Sequence, residues 1–131
     1  MIVYIENEPV PTTEIATLRK SVGWNGMEDA YNDSKMTSYF HIACYDAYRL
    51  IGYVDSVSNG VTDAYIQDLM VAPDYQGQGI GTELMNRLIK RLKENHIYMI
   101  TVVFDEKLRS FYEKFGFYTM LSGQMQTYEM D

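Results

Sequence analysis

The stretch from Thr62 to Leu92 limits most strongly how this chain can fold. A strand-like run, Thr62 to Val71, passes through Ala72-Pro73-Asp74 into a turn with glycine at every second position: Gly77, Gly79 and Gly81. A helix must follow at once. Ile80, Leu84, Leu88 and Leu92 share one stripe with Met85 and Ile89 beside it, while Arg87, Lys90, Arg91, Lys93 and Glu94 take the other face. Such a helix needs a partner layer to cover its stripe. Glycine allows positive φ and close approach of a ligand to the backbone. The first amides of the helix have no partner within it, and with the helix dipole behind them they form an anion site.

The rest of the chain supplies the layer. Met1 to Ile5 reads as a strand. Thr12-Thr13-Glu14 opens a helix to about Ser21, Gly23-Trp24-Asn25-Gly26 breaks it, and a second short helix is expected over Met27 to Ser34. Ser38 to Tyr45 and Tyr48 to Val57 read as a strand pair turning near Asp46-Ala47, and Ser58-Asn59-Gly60 is a second hairpin signal. After the long helix, Tyr98 to Phe104 is a buried strand and Asp105 caps a helix to about Phe115, stopped by Gly116. Phe117 to Leu121 and Met125 to Met130 read as two closing strands. The order β-α-α-β-β-β-α-β-α-β-β describes one α+β (mixed α/β) domain over residues 1–131.

Charge and composition exclude several classes. The formal net charge of −7 lacks the basic footprint of a nucleic-acid binder and mildly favours cationic partners. No apolar run approaches the ~20 residues of a membrane span. The first residues lack a signal-peptide pattern, and the single Cys44 forbids an intrachain disulfide, so a cytoplasmic protein is expected. Cys44 reads as a small buried hydrophobe, His41 as a structural histidine and His96 as a surface residue. No Cys/His cluster occurs, and no metal is expected.

The glycine turn alone has three readings. A P-loop needs Gly-Lys-Ser/Thr, whereas Thr82-Glu83 follows Gly81. A dinucleotide fingerprint needs a third glycine where Thr82 stands. The third reading is a resemblance. Gln76-Gly77-Gln78-Gly79-Ile80-Gly81 is similar to the pyrophosphate motif of the GNAT superfamily of acetyl-CoA-dependent N-acetyltransferases, Arg/Gln-x-x-Gly-x-Gly/Ala. Leu69-Met70-Val71-Ala72-Pro73 looks like that superfamily's bulged fourth strand. Phe111-Tyr112-Glu113-Lys114-Phe115-Gly116-Phe117 is similar to its Phe/Leu-Tyr-Glu-Lys-x-Gly-Phe signature.

The resemblance implies a GNAT-like fold, a central, mostly antiparallel sheet of about seven strands flanked by about four helices. It implies acetyl transfer from acetyl-CoA to an amine in a ternary complex. Backbone groups of Leu69, Met70 and Val71 would pair with the pantetheine arm. Gln76, Gly77, Gln78, Gly79, Ile80, Gly81 and Thr82 would hold the pyrophosphate. Tyr112 would contact the cosubstrate and protonate the leaving thiolate as general acid; packing of its helix is the other reading. Trp24 and Tyr31 would line the acceptor pocket, with a core or hinge role for Trp24 equally open.

Three positions depart from the family pattern. Gln76 replaces the commoner Arg. Asp105 stands where Asn is common, either as a helix cap or near the cosubstrate. No conventional base precedes the bulge: counting back by twos from Leu69 gives Gln67 and Tyr65, which could position water, while Asp68 would face away unless the bulge begins early. A non-catalytic acyl-CoA-binding module, a longer-chain acyltransferase and a peptide or protein acetyltransferase are the rivals to a small-amine enzyme. Monomer and homodimer are both open.

Overall fold

The computed structural model describes residues 1–130. In chain order the elements are β1 (Ile2–Glu6), α1 (Thr12–Ser21), α2 (Glu28–Tyr31), β2 (Ile42–Asp46), β3 (Arg49–Ser58), β4 (Asp63–Val71), α3 (Ile80–Glu94), β5 (Met99–Val102) and α4 (Arg109–Glu113). Short 3-10 turns at Pro73–Tyr75 and Glu106–Leu108 precede α3 and α4. The five strands form one sheet in the order β1-β2-β3-β4-β5. All neighbours are antiparallel except β4 and β5, which the α3 crossover makes parallel.

Helix α3 covers one face of the sheet with the stripe read from the sequence: Ile80, Leu84, Met85, Leu88, Ile89 and Leu92 are all buried. It lies close to β3. A Cβ on Gly52 would stand 3.1 Å from both Ile80 Cγ2 and Leu84 Cδ1, and 3.2 Å from Cys44 Cβ. Since Gly52 faces α3, its neighbours Tyr53 and Asp55 face the opposite side, where α1 buries Ile15, Ala16 and Leu18. Asn59 closes the β3–β4 turn, its Oδ1 accepting from the amides of Val61 and Thr62, each at 2.9 Å.

The structure corrects several boundaries. β2 begins at Ile42 rather than Ser38, because the buried Ser56 hydroxyl stands in for the ladder: it donates to the Phe40 carbonyl at 2.7 Å and accepts from the Phe40 amide at 3.2 Å. α2 stops at Tyr31; just beyond, the Asp33 carboxylate accepts from the Lys35 amide at 2.9 Å, a local turn that competes with helix. α4 begins at Arg109 after a 3-10 turn, and Asp105 precedes that turn without a side-chain capping bond.

The two closing strands do not form, so the sheet has five strands rather than about seven. After Gly116 (φ +100°) the chain passes over β5 without pairing with it, leaving a cavity of about 780 Å³ lined by Ile97, Ile100, Val102, Phe104, Phe115 and Phe117 among others. Tyr118, Met120, Leu121, Met125 and Tyr128 are exposed. Strand propensity reports fit to a half-buried surface, and this segment has gained none.

Candidate active site

The site is a fork in the sheet. β4 pairs with β5 only from Asp63 to Ile66, opposite Met99 to Val102. On its other side β4 stays paired with β3 as far as Val71. The fork follows from a bulge. Tyr53 pairs with Met70 and Asp55 with Gln67, so Asp68 and Leu69 together oppose Val54, and Asp68 has φ +59°. A bulge bends and twists its strand, here away from β5. From Gln67 to Val71, the backbone groups on the β5 side therefore lack a strand partner. An extended ligand can add there as a strand does.

The open edge leads directly into the glycine turn. The Ala72 amide donates to Ile51 at 2.8 Å, and the Gln76 side-chain amide donates to the Val71 carbonyl at 2.9 Å. Gln76 is thus engaged in holding the turn to the strand. Gly77 and Gly79 have φ +81° and +85°, a conformation that glycine adopts without strain. Gly79 caps α3, and the first amide bonded back into the helix is Glu83, to Gly79 at 3.0 Å. The amides of Ile80, Gly81 and Thr82 are left to point outward.

A cation stands beside them that the sequence reading passed over. Lys114 Nζ donates to Thr82 Oγ1 at 2.7 Å and lies 4.4 Å from the centre of the Phe111 ring. Phe111 also backs the turn, since a Cβ on Gly81 would sit 3.6 Å from its Cζ. The two motifs, 32 residues apart at Lys114 and Thr82, pack against each other. Lys114 places a positive charge beside the turn, where position 76 carries a neutral Gln, and it was visible in the sequence only as part of the second motif.

Tyr112 is buried in an aromatic cage. Its ring stacks on Phe104 with centroids 4.6 Å apart and meets Phe111 edge-on at 5.0 Å. Its hydroxyl has no hydrogen-bond partner among the described residues, yet no buried side-chain polar atom there is left unpaired, so the hydroxyl retains solvent contact. Burial raises the pKa of this phenol, with nearby Tyr65 adding to the rise, so it carries its proton at neutral pH.

The family follows from comparison with known proteins. Residues 5–117 match the sequence profile described as the Acetyltransferase (GNAT) family. The chain belongs to the GNAT family. One relative, the "Uncharacterized N-acetyltransferase ycf52" of Gracilaria tenuistipitata var. liui, is 32% identical over 118 residues, covering 86% of this chain and 65% of its own. Another, the "Histone acetyltransferase TAP1" of Glycine max, is 41% identical over 69 residues, 53% of this chain and 30% of its own. The chain thus spans less than two thirds of the length of these relatives. The structure of a GNAT family acetyltransferase from Streptococcus pneumoniae aligns with a TM-score of 0.80 at 28% identity, over 99% of this chain and 100% of that one.

The other face of the GNAT fork is built around Arg19. Its Nη1 pairs with Asp68 Oδ1 at 3.0 Å, both side chains being largely buried, and its Nε donates to the Asn25 carbonyl at 2.6 Å. Tyr31 donates its hydroxyl to Asp68 Oδ2, and burial together with that carboxylate keeps the proton on Tyr31. The Arg19 guanidinium lies 5.3 Å from the Trp24 ring and 5.9 Å from the Tyr31 ring. Trp24 and Tyr31 are therefore brought together, but their ring faces already hold a resident cation. Arg19 gave no signal beyond following Leu18 on α1.

The register also changes the reading of β4. Gln67 and Met70, three apart, share a face because their partners Asp55 and Tyr53 do, so counting by twos from Leu69 breaks at the bulge. Tyr65 remains on the face of Gln67, opposite Val57. Asp68 belongs to that side as well, turned by the early bulge toward α1 and α2. Asp105 is exposed and makes no side-chain bond to the turn. Cys44 is buried, and His41 Nε2 lies 2.6 Å from the Glu8 carbonyl. Among the described residues no group of three His, Cys, Asp or Glu side chains could hold a metal, and no helix is long and apolar enough to cross a membrane.

Proposed function

We propose that this domain is an N-acetyltransferase moving the acetyl group of acetyl-CoA directly to the primary amine of a small acceptor, with both substrates bound together. One observation carries the reading. An open strand edge, a row of unpaired helix amides with Lys114 beside them, and the Tyr112 hydroxyl are held together by the packing of α4 on the glycine turn. The donor set fits a long ligand with an anionic middle, and this local charge offsets the repulsion expected from a net −7 surface. When bound, acetyl-CoA supplies the activated acetyl group and a thiolate leaving group.

The chain's own residues do the remaining work. Leu69 to Val71 align the arm of the cosubstrate along β4. Gly77 to Thr82 fix its phosphates. Tyr112 holds a proton where the sulfur departs. Trp24 and Tyr31, braced by Arg19, frame the acceptor end, where the acidic surface favours a cationic amine. We place the enzyme in a reducing cytoplasm, on the strength of its lone buried thiol; two Arabidopsis thaliana relatives are named as chloroplastic.

The test is a panel of acceptors with acetyl-CoA, reading release of free CoA. Small polyamines and arylalkylamines should outperform peptides carrying free N-termini or lysines. Peptides winning would move the activity to the reading suggested by the soybean relative's name. Binding of acetyl-CoA with no turnover on any acceptor would leave a binding module.

Gly79→Val tests the turn separately. It places a β-branched residue at φ +85°. A strain of about 1–3 kcal/mol there converts to a 5- to 150-fold loss of acetyl-CoA affinity if binding requires this conformation. Gly81→Ala is the control, because its Cβ would meet Phe111 at 3.6 Å, an ordinary contact. Unchanged calorimetric affinity in Gly79→Val would remove the turn from the site.

A further inference from the structure

The family reading leaves the amine's proton without an acceptor: on β4, Gln67 and Tyr65 are not carboxylates, and both oxygens of Asp68 are already engaged by Arg19 and Tyr31. The register brings in a residue from the next strand. Asp55 of β3 pairs with Gln67, the first β4 residue beyond the fork. It faces the same side as Tyr65, which pairs with Thr101 on β5 just before the two strands part.

Asp55 is 4% exposed, and the packing that buries it leaves its two oxygens in different situations. Oδ1 is anchored, accepting from the Ser38 hydroxyl at 2.5 Å and the Ser56 amide at 2.7 Å. Ser38 is itself held by His41, whose Nδ1 lies 3.1 Å from Ser38 Oγ. His41 Nε2 faces the Glu8 carbonyl, which only accepts, so that nitrogen carries a hydrogen. Oδ2 has no partner among the described residues and yet is not sealed from solvent. A carboxylate fixed through one oxygen and open at the other is arranged to receive a proton.

We propose that Asp55 takes the proton from the acceptor's ammonium group, with Ser38 and His41 as positioning residues. The step rests on the acetyl-transfer reading. One N–H bond of the ammonium breaks and Oδ2–H forms, leaving the nitrogen lone pair free to attack the acetyl carbonyl. The C–S bond then breaks, the thiolate takes the Tyr112 phenolic proton, and the second amine proton restores the phenol. Asp55 returns its proton to water.

The electrostatics suit the task. Burial pushes the Asp55 pKa up, opposed by its bonds from Ser38 and Ser56 and by His41, and reinforced by Asp68. The other ionisable groups packed here are Tyr53 on β3, Tyr31 on α2, and Arg19 on α1, which is paired with Asp68. A carboxyl whose pKa burial raises is a stronger base than a surface one.

The experiment is Asp55→Asn, which keeps both bonds accepted at Oδ1. Acetyl-CoA affinity by calorimetry should be unchanged, and a loss there would indict the site as a whole rather than this step. With an alkylamine acceptor at neutral pH, kcat/KM should fall by a factor on the order of 10²–10³. The gap should close as pH rises and the amine deprotonates by itself. It should nearly vanish for an acceptor already neutral at assay pH, such as an aromatic amine. Asp55→Glu, which retains a carboxylate, should recover part of the rate and the acid-side limb of the pH profile. Stability supplies the folding control. Because the folded pKa is raised, the ionised carboxylate costs stability as pH rises through that pKa, so Asp55→Asn should be at least as stable as the parent at neutral pH. An equal loss on charged and neutral acceptors at every pH, or no loss on either, overturns the proposal.

Discussion

Tyr112→Phe is expected to lower turnover by a factor on the order of 10²–10⁴ while leaving acetyl-CoA affinity and thermal stability nearly unchanged. The substitution deletes one oxygen. The ring remains stacked on Phe104 and edge-on to Phe111, so the cage is preserved. No hydrogen bond is broken, because the hydroxyl makes none among the described residues. What is lost is a proton held at the fork by a phenol that burial keeps un-ionised. Steady-state rates paired with calorimetry decide the matter. A loss of less than about threefold, far below the range of general acid catalysis, would leave Tyr112 with packing alone.

Leu84→Ala should cost about 2–5 kcal/mol and lower the thermal midpoint by roughly 10 °C. Leu84 is fully buried in the second turn of α3, and its Cδ1 would lie 3.1 Å from a Cβ on Gly52. The helix is set against β3 so closely that the removed atoms leave a void that nearby backbone cannot readily fill. Since α3 also presents the unpaired amides, the variant should bind acetyl-CoA less tightly than the parent even where it is still folded. Denaturant unfolding measures the first effect and calorimetry the second. A cost under about 1 kcal/mol would mean that the site collapses around the cavity and that the contact with β3 is looser than described.

Local pattern made much of this architecture legible. The α3 stripe, the glycine turn and the order of the first nine elements are readable because periodicity and turn chemistry are properties of neighbouring residues. The failures are non-local. Whether Phe117 to Leu121 becomes a strand depends on a partner edge far away in the chain, and alternation alone does not supply it. The bulge at Asp68 was visible only as a resemblance and not by position, so counting by twos misjudged which side chains accompany Gln67. Lys114, Arg19 and Asp55 were missed because their significance lies in what they touch: Thr82 across the fork, Asp68 on another strand, and Gln67 through the sheet register.

The fork also bears on how long the molecule lasts. Unpaired strand edges invite a second chain to lodge in them, and natural sheets normally cover or charge theirs. Here the edge from Gln67 to Val71 has to stay open for the proposed chemistry, so the empty enzyme carries a built-in liability to self-association. A ligand lying along it acts as the next strand and shields the edge, and at a hundred times its dissociation constant it adds about 2.7 kcal/mol to the folded state. Under the proposed function, supply of the acyl donor would bear on the protein's abundance as well as its rate.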